Sequence, residues 1–147
     1  MSGPITVSPK NLGDLYGAAD ISHSPVVMRL VPGVSLVLMG SIMVFHDPTG
    51  TLPPDQGGTG VVDDRLRVIQ RPEEVPNIFG ILLEDVDTGP QGFTEEVNAS
   101  VDRKGSFKAD QLHVGAQSTV TVPECAARLR ELGIFLEGVR GTLAPTP

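Results

Sequence analysis

The few residues able to act as nucleophiles or metal ligands are scattered along this chain. The single cysteine, Cys125, lies in a segment whose apolar residues recur at spacings of three and four. This spacing places Cys125 on the apolar face of a short helix, which favours a buried, inert thiol over a nucleophile. The three histidines, His23, His46 and His113, are far apart, and none forms the His-x-x-x-His pair that directs two imidazoles to one metal ion. We therefore expect neither cysteine catalysis nor a histidine metal site.

Two short motifs could bind a cation or a phosphate. Asp85 and Asp87 have the spacing that begins a calcium loop, but the third ligand and the terminal bidentate Glu are missing. The glycines of segment 57–60 could approach a phosphate, but no Gly-Lys-Ser/Thr and no predicted helix follows them. Both segments are therefore predicted to be turns. We expect no cofactor, no metal and no catalytic residues, and hence not an enzyme.

The charge and composition of the chain narrow the classes of partner. Its 147 residues include 18 Asp and Glu against 11 Lys and Arg, a net charge of −7, which opposes binding to nucleic acid or to an anionic membrane surface. The longest uncharged run, Leu30–Phe45, is short for a membrane span and is broken by Pro32 and Gly33. The N-terminus carries no secretory signal, and one cysteine excludes an internal disulfide, so we expect synthesis in the cytoplasm.

The distribution of Pro and Gly predicts a mainly β fold with one short α-helix. Thirteen Pro and 17 Gly divide the chain into short segments, which is typical of strands joined by turns. The helix is predicted over Pro123–Leu132, because Pro stands at its start and Gly133 just beyond its end. A loop is predicted over residues 46–60. Strands are predicted at Val26–Leu30, Val34–Met39, Ile42–Phe45, Leu66–Gln70, Phe79–Asp85, Glu96–Val101, Ser118–Val122 and Ile134–Val139.

The first 25 residues differ from the rest in having few large apolar side chains and several Pro and Gly. Such a segment can hardly nucleate a core. We interpret residues 1–25 as an extended N-terminal arm and residues 26–147 as a single β-rich domain.

Four segments, in this order, resemble the head decoration proteins of tailed bacteriophages, including the lambda type. They are Leu30–Val34 continuing through Met39–Met43, Ile78–Asp87 with its central Gly-Ile-Leu, Glu96–Val101 followed by Gly105–Leu112, and the helix from Pro123 followed by Leu132–Leu136. The resemblance runs from about Val26 to the C-terminus and implies a small β-barrel or β-tulip-like decoration domain.

This resemblance implies a capsid cement protein that binds the outer surface of the expanded phage head and stabilises it against internal DNA pressure. The implied partners are the major capsid protein and further copies of this chain, with a homotrimer favoured. We expect the arm to add a strand to an exposed sheet edge of the shell. Its apolar side chains are predicted to be the capsid contacts: Ile5, Val7, Leu12, Leu15 and Tyr16.

Two other functions are compatible with the residues. A tail or fibre-base component of a virion would share the acidic, β-rich and non-catalytic profile, and its copy number per particle would distinguish it. A small trimeric β enzyme acting on a nucleotide would bring Asp85, Asp87 and the glycines of segment 57–60 together at a subunit interface. Thermal stabilisation by nucleotides would indicate such an enzyme.

Overall fold

Short strands joined by tight turns make up most of this protein, as its Pro and Gly content predicts. The structure is a computed structural model and describes residues 12–19 and 21–138. The fold is mainly β, with a closed five-stranded barrel, which confirms the predicted fold class. The strands are β1 (Pro25–Leu30), β2 (Leu36–Val37), β3 (Ile42–Asp47), β4 (Asp63–Val68), β5 (Ile78–Leu82), β6 (Val86–Asp87), β7 (Val97–Asp102), β8 (Gly105–Lys108) and β9 (Ile134–Glu137). The helices are α1 (Leu12–Leu15) and α2 (Val122–Leu132), with 3-10 turns at Pro54–Gln56, Pro72–Asn77 and Ala109–Gln111.

The barrel has the strand order β1-β4-β3-β5-β7 and closes where β7 pairs with β1. All of its pairs are antiparallel except the short parallel contact between Leu30 of β1 and Leu66 of β4. One cluster of buried aliphatic side chains, including Leu30, Leu66 and Val101, packs together from the barrel strands and from β2 and β6. Closure removes the exposed edges that an open sheet of this size would present.

A second core cluster lies between the barrel and the C-terminal elements. Strands β8 and β9 form a parallel pair, and α2 packs on β9. Cys125 and Leu129 of α2 are fully buried, as is Phe107 of β8. The helix begins where the Glu124 carboxylate accepts hydrogen bonds from the backbone N–H and hydroxyl of Thr121, at 2.8 and 3.0 Å. It ends at Gly133, which adopts φ 93°, so the predicted helix and its glycine stop are confirmed.

Several predicted strands differ from the structure for identifiable reasons. The strand predicted at Ser118–Val122 is wrong, because Thr121 caps α2 and residues 118–121 are irregular chain, with one bend, leading into that helix. The segment Val34–Met39 is extended only at Leu36–Val37, since Ser35 adopts φ 64° and residues 39–40 form a turn. Strands β6 and β8 were not predicted, because each is short and pairs with a segment distant in sequence.

The N-terminal segment packs onto the domain as far as it is described. Residues 12–15 form one helical turn, and the Leu15 side chain belongs to the second core cluster. None of the helices in residues 12–19 and 21–138 has the length and apolar character needed to cross a bilayer.

Candidate partner-binding surface

The segment that precedes β1 is attached along the open edge of the β8–β9 pair. We call residues 12–19 and 21–24 the N-terminal strap. Tyr16 forms an antiparallel bridge with Phe107, and the Gly17 N–H donates to the Ser106 carbonyl at 2.8 Å. Leu15, immediately before this bridge, is 0% exposed. The strap thus adds a single β-bridge to the edge of the two-stranded sheet and inserts one side chain into the core.

The Glu137 carboxylate provides a second attachment for the strap. Its two oxygens accept the backbone N–H groups of Ala18 and Ala19, each at 2.8 Å. The Ser106 hydroxyl also donates to this carboxylate. These hydrogen bonds, that of Ser106 first, hold the pKa of Glu137 below its ordinary value. The carboxylate is therefore ionised at neutral pH and binds the chain through two successive amides.

The Asp102 carboxylate provides the third attachment, and it is fully buried. Oδ2 lies 2.7 Å from His23 Nδ1 and accepts the Tyr16 hydroxyl at 3.4 Å. Oδ1 accepts the backbone N–H of Ser24 at 2.8 Å and that of Lys104 at 3.3 Å. A buried carboxylate is costly unless it is well satisfied, and four donors surround this one.

Three rings close over this attachment. The rings of Tyr16 and His23 have centroids 3.9 Å apart, and Phe107 meets both edge-on, at 5.5 and 5.7 Å. Burial, followed by the charge and hydrogen bond of Asp102, raises the pKa of Tyr16 to about 12. Gly105, at φ 130°, lies against the His23 ring, and a Cβ at this position would overlap it. A glycine is therefore required where β8 begins.

The predicted capsid contacts occupy different environments. Ile5 and Val7 lie outside the described residues. Leu12 is 38% exposed and Tyr16 is half-buried, whereas Leu15 packs inside the protein's own core. In the described part of residues 1–25, Leu12–Leu15 is helical where extended chain was expected, and a partner could contact Leu15 only if the strap came away. The contact role of these five residues stays a prediction.

An apolar cavity of about 390 Å³ lies between β2, the end of β4 and residues 113–116. Two of its apolar side chains are well exposed, Val34 at 46% and Leu36 at 58%. Ser35, between them, has a positive φ of 64°, which costs about 1 kcal/mol for a residue with a Cβ. Its carbonyl accepts the backbone N–H of Thr88 at 2.8 Å and the Thr88 hydroxyl at 2.7 Å. The cavity is lined by Val34, Leu36, Val37, Leu38, Ser41, Arg67, Val68, Gln70, His113, Val114, Gly115 and Ala116.

Arg67 separates this apolar cavity from a polar one of about 370 Å³, because it lines both. Its Nη2 donates to the Glu74 carboxylate at 2.7 Å, and its Nε donates to His46 Nδ1 at 2.9 Å. Glu74 is 4% exposed and also receives Arg71 Nη2 at 2.5 Å. Burial opposes ionisation of Glu74, but the hydrogen bonds from Arg67 and from the backbone of Gln70 and Arg71 outweigh it and lower the pKa.

The other chemically capable residues take structural roles. Cys125 is fully buried, and burial raises the pKa of its thiol to about 12, so the predicted burial of this thiol is confirmed. Asp85 accepts the Met39 N–H at 2.7 Å, and Asp87 accepts the Gly89 N–H at 2.9 Å. The predicted turn at this segment is wrong in part, because Asp87 lies in β6 and pairs with Leu36. Gly57 ends a 3-10 turn, and its carbonyl contacts His46. Among residues 12–19 and 21–138, no three His, Cys, Asp or Glu side chains are grouped to hold a metal ion.

The anchoring carboxylates were missed by sequence reasoning. Asp102 and Glu137 stand at strand ends, Asp102 before two further charged residues and Glu137 before a glycine, where nothing local distinguishes them from solvated side chains. The one available signal was the pair Leu15-Tyr16, the largest adjacent apolar side chains in the first 25 residues. No protein-family model and no curated protein matches this sequence.

Proposed function

We propose that this chain is a capsid decoration protein of a tailed bacteriophage. It binds the outer surface of the expanded head, as a homotrimer that contacts the major capsid protein, and braces the shell against internal DNA pressure. The proposal starts from the resemblance of four segments to that family. These segments form adjoining elements: Gly80 to Leu82 lie in β5, β7 is its neighbour in the barrel, and β8 pairs with β9.

The observation that carries the proposal is the triple attachment of the N-terminal strap. A protein that braces a shell through its N-terminal residues must transmit force from them to a folded body. Here, residues 1–11 continue into a segment fixed by the buried Leu15 and by the Asp102 and Glu137 carboxylates. Tension on residues 1–11 is therefore opposed by core packing and hydrogen bonds.

The strength of this attachment follows from ordinary magnitudes. Complete burial of a leucine contributes about 1.5–3 kcal/mol. Hydrogen bonds to the fully buried Asp102 carboxylate contribute about 1.5–3 kcal/mol each and are costly to break. Because the attachments are sequential, a pull on residue 11 meets Leu15 before it reaches the carboxylates. The strap is thus suited to hold while several subunits share a load.

Binding to purified heads that lack decoration protein tests the proposal. The decisive variant deletes residues 2–11 and keeps the whole strap, because a longer deletion would remove Leu15 and destabilise the fold for an unrelated reason. We expect this variant to keep the wild-type circular dichroism and unfolding midpoint, and to lose most of its affinity for expanded heads. A matched pair, Ile5→Ser with Val7→Ser against Thr6→Ser with Ser8→Thr, separates apolar contact from mere length. Wild-type protein that fails to bind expanded heads would refute the function.

Copy number in the virion distinguishes the decoration role from a tail or fibre-base role. Quantitative mass spectrometry of purified particles gives the ratio of this chain to the major capsid protein. A decoration protein is expected near one copy per capsid subunit, or at a simple symmetric fraction of that number. A handful of copies per particle would instead identify a tail component.

A further inference from the structure

The apolar cavity beside β2 has the features of a peptide-binding groove, and it is separate from the strap. Its mouth carries Val34 and Leu36, which are 46% and 58% exposed. Its walls are mostly aliphatic, with Val68 and Val114 among them. Its volume of about 390 Å³ falls within the range of sites that bury a ligand. Exposed apolar side chains at the rim of such a cavity are typical of interaction sites.

The backbone at the rim is held in an unfavourable conformation. Ser35 has φ 64° and is the only described non-glycine residue with a positive φ. Three hydrogen bonds fix it: its N–H donates to the Gly89 carbonyl at 2.9 Å, and its carbonyl accepts two donors from Thr88. Strain that the surrounding structure enforces tends to occur at functional positions. Here, the strained residue lies directly between the two exposed apolar side chains.

The rim also offers a strand edge. Within the described residues, β2 pairs only with β6, through Leu36 with Asp87 and Val37 with Val86. Because Ser35 bonds to the Thr88–Gly89 segment, the alternation of an antiparallel ladder directs the backbone groups of Leu36 away from β6. An extended peptide could pair with these groups by strand addition while placing a side chain in the cavity.

The inner wall of the cavity offers one unused hydrogen-bond donor group, on Arg67. Arg67 uses Nε and Nη2 for His46 and Glu74, and Nη1 has no hydrogen-bond partner in the described part of the chain. The Arg67 charge is balanced by Glu74, with which it pairs at 2.7 Å. A carboxylate entering the cavity could therefore accept a charge-assisted hydrogen bond from the one unused N–H donor group of Arg67.

We propose that this cavity and its rim bind an extended apolar peptide segment that carries one carboxylate. The peptide pairs with the free edge of β2, its apolar side chains cover Val34 and Leu36, and its carboxylate approaches Arg67. The apolar rim and the unused donor of Arg67 together select such a segment over a purely apolar or a basic one.

Selection from a displayed library of random heptapeptides on the immobilised full-length chain tests this proposal. We expect enrichment of apolar sequences with one Asp or Glu. Leu36→Ser should weaken binding of a selected peptide about tenfold or more, because apolar contact is lost. The matched control is Val61→Ser, since Val61 is 66% exposed and does not line the cavity. Replacing the peptide's acidic residue by its amide should weaken binding about tenfold.

Three results would overturn the proposal. They are failure to enrich any peptide, equal binding to the Leu36→Ser and wild-type proteins, and indifference to the carboxylate. Sedimentation velocity provides an additional check. If Leu36→Ser dissociates an oligomer of the wild-type chain, the rim is a contact between copies and not a peptide site.

Discussion

Replacing Leu15 by alanine should destabilise the whole domain, although Leu15 lies ten residues before the first barrel strand. The side chain is 0% exposed and packs in the cluster that includes Ile42, Phe107 and Leu129. Truncation of a fully buried leucine costs about 2–5 kcal/mol, of which the residual cavity is a substantial part. Leu12, on the same helical turn, is 38% exposed, so the same substitution there should cost about 0.5 kcal/mol. The pair differs in burial alone.

Urea unfolding followed by two signals measures this difference. Tyr16 is the only tyrosine and the chain has no tryptophan, so intrinsic fluorescence reports the strap. Far-ultraviolet circular dichroism reports the strands. We expect both signals to change together in the wild-type protein, because strap and barrel share a core. The midpoint of Leu15→Ala should shift strongly to lower urea at an unchanged slope, and that of Leu12→Ala should scarcely move.

Two outcomes would refute the reasoning. If Leu15→Ala cost as little stability as a substitution at an exposed leucine should, Leu15 would contribute nothing to the core. A fluorescence transition at lower urea than the circular dichroism transition would mean that the strap detaches while the barrel stays folded. The second outcome would also contradict the firm attachment of the N-terminal strap on which the proposed function depends.

Two further predictions concern titration. The pKa of Tyr16 is raised to about 12, so the stability that this residue contributes should be fully present below pH 10 and should be lost as the pH rises from 10 towards 12. Absorbance titration of this single tyrosine should show a high midpoint, which Asp102→Asn should lower. A wild-type midpoint near 10 would contradict the contact between Tyr16 and Asp102. The pKa of Glu74 is lowered, so its stabilising contribution is present above its ordinary value of 4.5 and is lost as the pH falls through the lowered value. Glu74→Gln should lower the free energy of unfolding by about 3 kcal/mol at neutral pH and should weaken its dependence on pH in acid, both measured by urea unfolding. The control is Glu73→Gln, which should have neither effect because the Glu73 side chain is 71% exposed.

Residues that start or end an element locally, chiefly Pro and Gly, explain why much of the fold could be predicted from the sequence. The start and end of α2 are marked by Pro123 and Gly133, and each acts on its own turn of chain. The barrel strands β1, β3, β5 and β7 are bounded in the same way, by Pro and Gly or by charged residues. Residues 118–122 were misread because alternating Val and Thr favour a strand, whereas Thr121 with Glu124 forms a helix cap.

The candidate sites depend on contacts that no local pattern encodes. Asp102 meets His23, and Glu137 meets Ala18, across most of the chain. Each of these carboxylates looks in sequence like a solvated surface charge. The groove arises similarly, because Ser35 receives its hydrogen bonds from Thr88 and Gly89. Such partners become visible only when the barrel brings distant segments together.

The closure of the barrel constrains when this protein can fold. Strand β1 pairs along its whole length with β7, so the first barrel strand cannot form these pairs until the last one has been synthesised. The strap can attach only later, because the Glu137 carboxylate that binds it lies at the end of β9. A nascent chain emerging from the ribosome can therefore complete neither the barrel nor the strap until most of it has been synthesised, and loop closure over such separations slows folding. A protein built in this way becomes competent to bind a partner late, as a finished molecule, rather than gradually during its translation.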